Sequence, residues 1–305
     1  MKISFLNQYP LYHTCLLVSV IRYLCGEPVA ICEPDKADLI LVGPFEKQLA
    51  FRRLGKEWRK LKKLTRKRSS GALRLFHTGE NSRHDSVAAD YSVTFDLDVT
   101  SERHFRLPLW MDSIDWSHEG VINTHNLRVR SLIKLEMLMS PLGAALLERP
   151  RRAALFAFHL KEPRRTLFEA LSNVLPTEGF GRPFDARIKK HNSSGLYKDD
   201  VLKTFVVNLC PENSLYPGYY TEKVVEAYGA GCLPVTWADP NVRVDFNPGA
   251  IVNALEFAQI GYEAGLREAL TPKMIARRAE VPLFSSAPTL EPFFEFMKRV
   301  ISDTR

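Results

Sequence analysis

Residues 205–253 read FVVNLCPENSLYPGYYTEKVVEAYGAGCLPVTWADPNVRVDFNPGAIVN, and their pattern decides the fold. The stretch opens with an apolar run, residues 205–210, whose β-branched side chains suit a buried, pleated strand. A polar loop broken by Gly and Pro follows. From Thr221 the spacing changes: Val224, Val225, Ala227 and Tyr228 fall at helical intervals, with Thr221 at the N-cap and Glu222 and Lys223 in the first turn. Gly229 and Gly231 stop the helix, and a second apolar strand runs over residues 232–237. Strand, loop, helix, strand is the grammar of a parallel sheet, in which ligands sit at the carboxyl ends of strands and anions at helix N-termini.

Outward from this unit, the 305-residue chain is 45% apolar, enough core for two domains of about 150 residues each. Residues 2–5, 38–42, 73–77, 91–95 and 153–160 read as further strands. Helical spacing covers residues 11–24, 126–147, 166–175, 255–280 and 290–301. Residues 179–195 read as a loop, and the charged, Pro-containing segment 148–152 is the expected interdomain linker. No internal repeat or low-complexity tail stands out.

A formal net charge of +7 and a pI near 9.1 point to an acidic partner: nucleic acid, anionic lipid or a phosphorylated small molecule. Residues 52–68 hold ten Lys and Arg, with Leu54, Trp58, Leu61 and Leu64 near helical spacing. Such a run fits an anionic membrane surface, or a solvated face docked through Leu and Trp. It lacks the interleaved aromatics, zinc spacing or recognisable module of a nucleic-acid binder, so no nucleic-acid partner is expected. The five cysteines are scattered without metal spacing and read as buried thiols in a reducing compartment. Polar residues Tyr12, His13, Thr14, Ser19 and Arg22 interrupt the first apolar run, which reads as neither signal peptide nor membrane anchor. A cytoplasmic protein, soluble or peripheral at the inner face of a membrane, is expected.

Several short runs carry a family likeness. Cys210-Pro211-Glu212-Asn213-Ser214, then Tyr219-Tyr220-Thr221-Glu222-Lys223, then residues 231–235 and Asp245-Phe246-Asn247-Pro248 resemble the α1,3/α1,4-fucosyltransferases, inverting glycosyltransferases that use GDP-fucose. In the first half, Phe76-His77-Thr78-Gly79-Glu80-Asn81, Asp90-Tyr91, Phe95-Asp96 and Arg106-Leu107-Pro108-Leu109 resemble the family's acceptor-side strand ends, in the same order. The likeness implies an α/β fold of two Rossmann-like domains facing across a cleft, the GT-B architecture. Residues 1–150 would bind the acceptor and 151–305 the GDP-fucose, with the last helix free to pack on either. Two departures stand out: Pro211 replaces the usual aromatic before Glu-Asn, and Ala157-Phe158-His159-Leu160 lacks the Ser-Asn pair common in relatives.

Moving a sugar off a nucleoside diphosphate needs a base for the acceptor hydroxyl and cations for the leaving diphosphate. Lys223 sits in a first helical turn, where amide groups and the helix dipole already favour phosphate. Glu222 beside it would repel phosphate and suits sugar hydroxyls. The resemblance adds Arg165 as a second diphosphate cation, with Arg164 adjacent, and Glu80 as the base at a strand end. Asn213 and Tyr219 supply hydrogen bonds to nucleotide or sugar, although both also suit a turn. Asp96-Leu97-Asp98 has the form of a metal-holding pair but lies far from the nucleotide motif. No metal is therefore expected to be required, with Mn²⁺ or Mg²⁺ at most stimulatory. The expected acceptor is O3 of N-acetylglucosamine or glucose in an oligosaccharide or glycolipid such as lipopolysaccharide. Another GDP-linked sugar as donor, or a non-catalytic basic binding protein, remain the alternatives.

Overall fold

The computed structural model describes residues 1–9, 12–26, 28–45, 71–122, 131–184 and 197–304. The basic run at 52–68 lies outside the described residues, as do parts of the stretches 126–147 and 179–195. The chain divides into two units: Met1–Leu107 with Glu119–Ile122 and Leu290–Arg305, and Pro108–His118 with Asn123–Thr289.

The first unit is built on an all-parallel sheet. β1 (Lys2–Leu6) leads through α1 (Leu16–Cys25) to β2 (Ala30–Ile31), β3 (Leu39–Val42), β4 (Leu73–His77), β5 (Tyr91–Thr94) and β6 (His104–Arg106), in the spatial order β2-β1-β3-β4-β5-β6. β3 is apolar at every position and wholly buried, as a central parallel strand covered on both faces requires. The helix expected over residues 11–24 starts later. Tyr12–Thr14 forms a 3-10 turn and Cys15 is extended before α1 begins. Tyr12 is drawn out of the helical path to hydrogen-bond His77 Nδ1 at 2.7 Å and to pack edge-on against Phe5.

The second unit has two short helices, α2 (Leu135–Met139) and α3 (Gly143–Leu147), where the sequence pattern predicts one; Pro141 cannot continue α2. β7 (Ala153–Phe156), α4 (Arg164–Ser172), β8 (Thr177–Phe180), α5 (Lys198–Leu202), β9 (Val207–Leu209), α6 (Glu222–Gly229), β10 (Leu233–Thr236) and β11 (Val252–Asn253) follow, then α7 (Tyr262–Ala269) and α8 (Pro272–Ala279). The strands are parallel in the order β11-β10-β9-β7-β8. Alternation along each strand feeds both faces. Leu155, Leu209 and Val235 join Leu167 and Leu171 of α4, Leu266 of α7 and Ile275 of α8 in one core, while Ala154 and Cys232 pack with Leu202 and Phe205 on the other. α6 buries Val224, Val225, Ala227 and Tyr228, the residues that its period singles out. Each large apolar side chain contributes roughly 1.5–3 kcal/mol by its burial. Tyr228 also donates to the Ser140 and Val281 carbonyls, at 2.9 Å each way in alternative hydrogen bonds.

Two boundaries differ from the sequence reading. Segment 148–152 is no linker: Arg149 donates to the carbonyls of Phe205 and Ala230, both at 3.2 Å, within the second unit. The chain instead changes unit at Pro108, because Trp110 donates to Asp245 Oδ2 at 2.9 Å and packs on Phe246 and Phe284. The last helix, α9 (Glu291–Ser302), belongs to the first unit, where Phe294 meets Tyr23 and Phe293 meets Phe105. No helix among the described residues is long and apolar enough to cross a membrane.

Candidate active site

In the second sheet, β7 has β8 on one side and β9 on the other, so the chain reverses its direction of winding between these strands. The loops leaving β7 and β9 therefore run to opposite faces and open a crevice at the carboxyl ends, the place where such sheets bind ligands. The β7 loop delivers Arg164 at the start of α4; the β9 loop delivers Glu212, Asn213 and Tyr219 and ends at α6. The two meet directly, since the Arg164 guanidinium donates to Asn213 Oδ1 and, at 3.3 Å, to the His159 carbonyl. Arg165, one step of about 100° round the helix, points to solvent instead. Arg164, rather than the expected Arg165, is thus the arginine that the fold joins to the β9 loop.

At the start of α6, Thr221 holds the N-cap position but its hydroxyl does not cap the helix. It donates instead to the Glu212 carboxylate, 2.8 Å from Oε2, while the Thr221 amide donates to Oε1 at 2.8 Å. Lys223 closes a triangle, its Nζ 2.9 Å from Glu212 Oε2 and 2.6 Å from Thr221 Oγ1. The first turn of α6 is left without a side-chain cap, its dipole facing the crevice end of the sheet. Burial opposes the charge on Lys223, but the Glu212 and Glu222 carboxylates outweigh it and hold the ammonium above its ordinary pKa. Burial lowers the Arg164 guanidinium, with Glu212 and Tyr219 pulling the other way; an arginine so shifted stays charged at neutral pH. Tyr219 is buried, Glu222 half-buried and Asn213 exposed. Cys210, beside this cluster, is pushed up by burial and is a core thiol.

The corresponding end of the first sheet is built differently. Asn7 takes a left-handed φ of 56° after β1, and Gly43 after β3 must lack a side chain, because a Cβ there would lie 2.2 Å from the Asn7 carbonyl oxygen. Gln8 donates to the His77 carbonyl at 3.4 Å. The Tyr9 hydroxyl accepts from the Gly79 amide at 3.1 Å and lies 3.4 Å from Thr78 Oγ1, which accepts from the Glu80 amide at 2.9 Å. Glu80 is thereby set, exposed, on a tight turn at the carboxyl end of β4. Burial, with the Glu80 charge adding to it, pushes the Tyr9 phenol up to about 12. His77 is enclosed beside Tyr12, and burial lowers its imidazole to about 4. Asp96 and Asp98 are both ion-paired with Arg83, and Asp96 further accepts from Thr94 and from the His84 amide. That pair ties the first unit together.

From sequence, Glu212 and Thr221 are seen only as motif residues, Thr221 also as an N-cap, and Tyr9 has no role at all. Glu212 had one visible signal: a carboxylate between a buried strand and a motif Asn, in a place where burial demands a partner. Tyr9 gave none, because its partners lie about 70 positions away.

Two parallel, doubly wound sheets, one of them with cations at its switch point, define a GT-B α/β fold. Residues 64–112 match the model of the alpha-(1,3)-fucosyltransferase FucT N-terminal domain, and residues 149–265 match that of the glycosyltransferase family 10 (fucosyltransferase) C-terminal region. The chain belongs to glycosyltransferase family 10, the fucosyltransferases. It is 30% identical over 205 residues to alpha-(1,3)-fucosyltransferase FucT of Helicobacter pylori, a match spanning 61% of this chain and 41% of that relative. A crystal structure of an alpha1,3-fucosyltransferase superposes with a TM-score of 0.67 at 23% identity, over 99% of this chain and 90% of the other. One with GDP gives 0.66 at 20% identity, and one with GDP-fucose 0.64 at 21%, with the same coverage of both chains.

Proposed function

We propose that this chain transfers L-fucose from GDP-fucose to a hydroxyl of a glycan acceptor, O3 of N-acetylglucosamine or glucose, with inversion at the anomeric carbon. The observation that carries the reading is the joining of Arg164 and Asn213 beside the Glu212–Thr221–Lys223 triangle at the uncapped start of α6. The names of the matched relative and of the solved structures, one with GDP and one with GDP-fucose, support the donor. In the proposed step, Glu80 takes the proton from the acceptor hydroxyl and the freed oxygen bonds to the anomeric carbon. The bond from that carbon to the phosphate oxygen breaks, and its electron pair leaves with GDP. Lys223, Arg164 and the α6 dipole meet the charge that develops on the diphosphate. Arg165, next in sequence, is the second arginine to test in this role. Asn213, Tyr219 and Glu222 hold the nucleotide and sugar by hydrogen bonds. Divalent metal is not assigned a role; Mn²⁺ would act on the rate only by screening the diphosphate.

The test is release of GDP from GDP-fucose with a panel of acceptor sugars, alongside calorimetry of GDP binding. Acceptor-dependent release with inverted products is expected. A folded protein that binds no GDP, or that turns over with no acceptor, would sink the reading.

A further inference from the structure

Glu212 touches no ligand in the reading above, yet it is held by three donor groups at the site. It is 1% exposed, and it takes hydrogen bonds from the Thr221 amide, the Thr221 hydroxyl and Lys223 Nζ. A carboxylate this deep is costly unless paired, and packing alone would be served by an apolar side chain. Of the three donors on the Lys223 ammonium, Glu212 and Thr221 use two, which leaves one for a ligand. We infer that Glu212 is a positioning residue of the donor site: its carboxylate fixes the Lys223 ammonium and the first turn of α6 in the arrangement that receives the diphosphate. The inference rests on the proposed role of Lys223 at the diphosphate.

The charges around Lys223 make Glu212 decisive. Tyr219 faces it from the same loop as Glu212, and Glu222 from its own helix. Arg164 of α4 shares the fields of Glu212 and Tyr219, and the neighbouring Cys210 thiol lies in those of Lys198, Glu212 and Lys223. Burial works against the ammonium, and Glu212 is the largest influence that sustains it. Loss of that carboxylate should both loosen Lys223 and let it shed its proton at a lower pH.

The experiment is calorimetry of GDP binding from pH 6.5 to 9.5 with wild type, Glu212→Gln and the double variant Glu212→Gln/Lys223→Arg. Each affinity is expressed relative to wild type at the same pH, which cancels the titration of guanine itself. Glu212→Gln should bind GDP roughly tenfold more weakly at pH 6.5, about the worth of one charge-assisted contact, and the deficit should widen as pH rises. The added arginine should flatten the profile, because a guanidinium keeps its proton. A folded Glu212→Gln protein with wild-type affinity and no pH-dependent deficit overturns the inference. Should that variant not fold, Thr221→Val opens the same triangle while keeping both charges. Several-fold weaker GDP binding is then expected, and wild-type affinity overturns the inference. Wild type that binds no GDP overturns the donor reading itself, which separates the two failures.

Discussion

The two sheets share one strand plan and differ in what stands at its carboxyl ends. From the outer edge inward, the first unit runs β2-β1-β3-β4-β5 and the second β8-β7-β9-β10-β11, with β6 as an extra strand on the first. In each, an opening strand sends its successor to one flank and the rest of the chain to the other, so the switch points correspond. Near that point the first unit presents a phenol, a side-chain amide and one exposed carboxylate, through Tyr9, Gln8 and Glu80, with the buried Thr78 hydroxyl bonded to the Glu80 amide. The second presents two cations, Lys223 paired with the buried Glu212 carboxylate and Arg164 joined to Asn213. On the proposed function, the plan fixes where a ligand would sit and the loop residues would decide its charge: a neutral polyol on one sheet, a diphosphate on the other.

That division can be broken most sharply at Glu80. Glu80→Ala should lower turnover about 10²- to 10⁴-fold, the usual worth of a general base, and leave GDP affinity within about twofold of wild type. Parallel loss of GDP binding by calorimetry would mean that the sheets do not divide the labour. Lys223→Ala tests the other side: GDP binding should weaken roughly 10- to 100-fold. The thermal midpoint should fall as well, because Glu212 is left buried without its cation. Unchanged GDP affinity in a folded Lys223→Ala protein would remove the cation from the donor site.

The first unit should also carry its own pH signature. The native His77 imidazole stays neutral down to about pH 4, whereas an unfolded one takes a proton near 6.5. In that window the unfolded state binds more protons, so stability should fall as pH drops from 6.5 toward 4, by about 2 to 3 kcal/mol. Denaturant melts of wild type and His77→Gln at both ends of the window check this; equal slopes would contradict it. The smallest expected effect separates two neighbours on α4. Arg164→Ala should weaken GDP binding about tenfold and Arg165→Ala less than about twofold, given that one is joined to the β9 loop and the other is exposed. The reverse order would restore the reading by sequence alone.

What could be read from the residues was local. The β9–α6–β10 unit was legible because a continuous apolar run gives way to a 3.6-residue period and then returns to an apolar run, all within about thirty residues. The edge strand β8 went unread, since Thr177-Glu178-Gly179-Phe180 has a glycine and little apolar weight, and pairing with β7 alone makes it a strand. The break between α2 and α3 turns on a single proline that the helical spacing of its neighbours masked. Lys223 and Glu222 could be placed from their position in a first turn. Arg164 could not be told from Arg165, because the choice depends on the angle at which α4 leaves β7. Tyr9 could not be found at all, its role being set by loops that only the folded sheet brings together.

The placement of α9 bears on how the protein is made. Its face of Phe293, Phe296, Met297 and Val300 completes the first unit, which means that everything from Asn123 to Thr289 is an insertion between parts of one domain. On the ribosome the first sheet emerges early and then waits, its docking surface around Tyr23 and Phe105 open, while the whole second unit is synthesised and folds. For that interval Tyr23 and Phe105 lack the Phe294 and Phe293 rings that cover them in the finished fold, an exposure of apolar surface of the kind that invites aggregation.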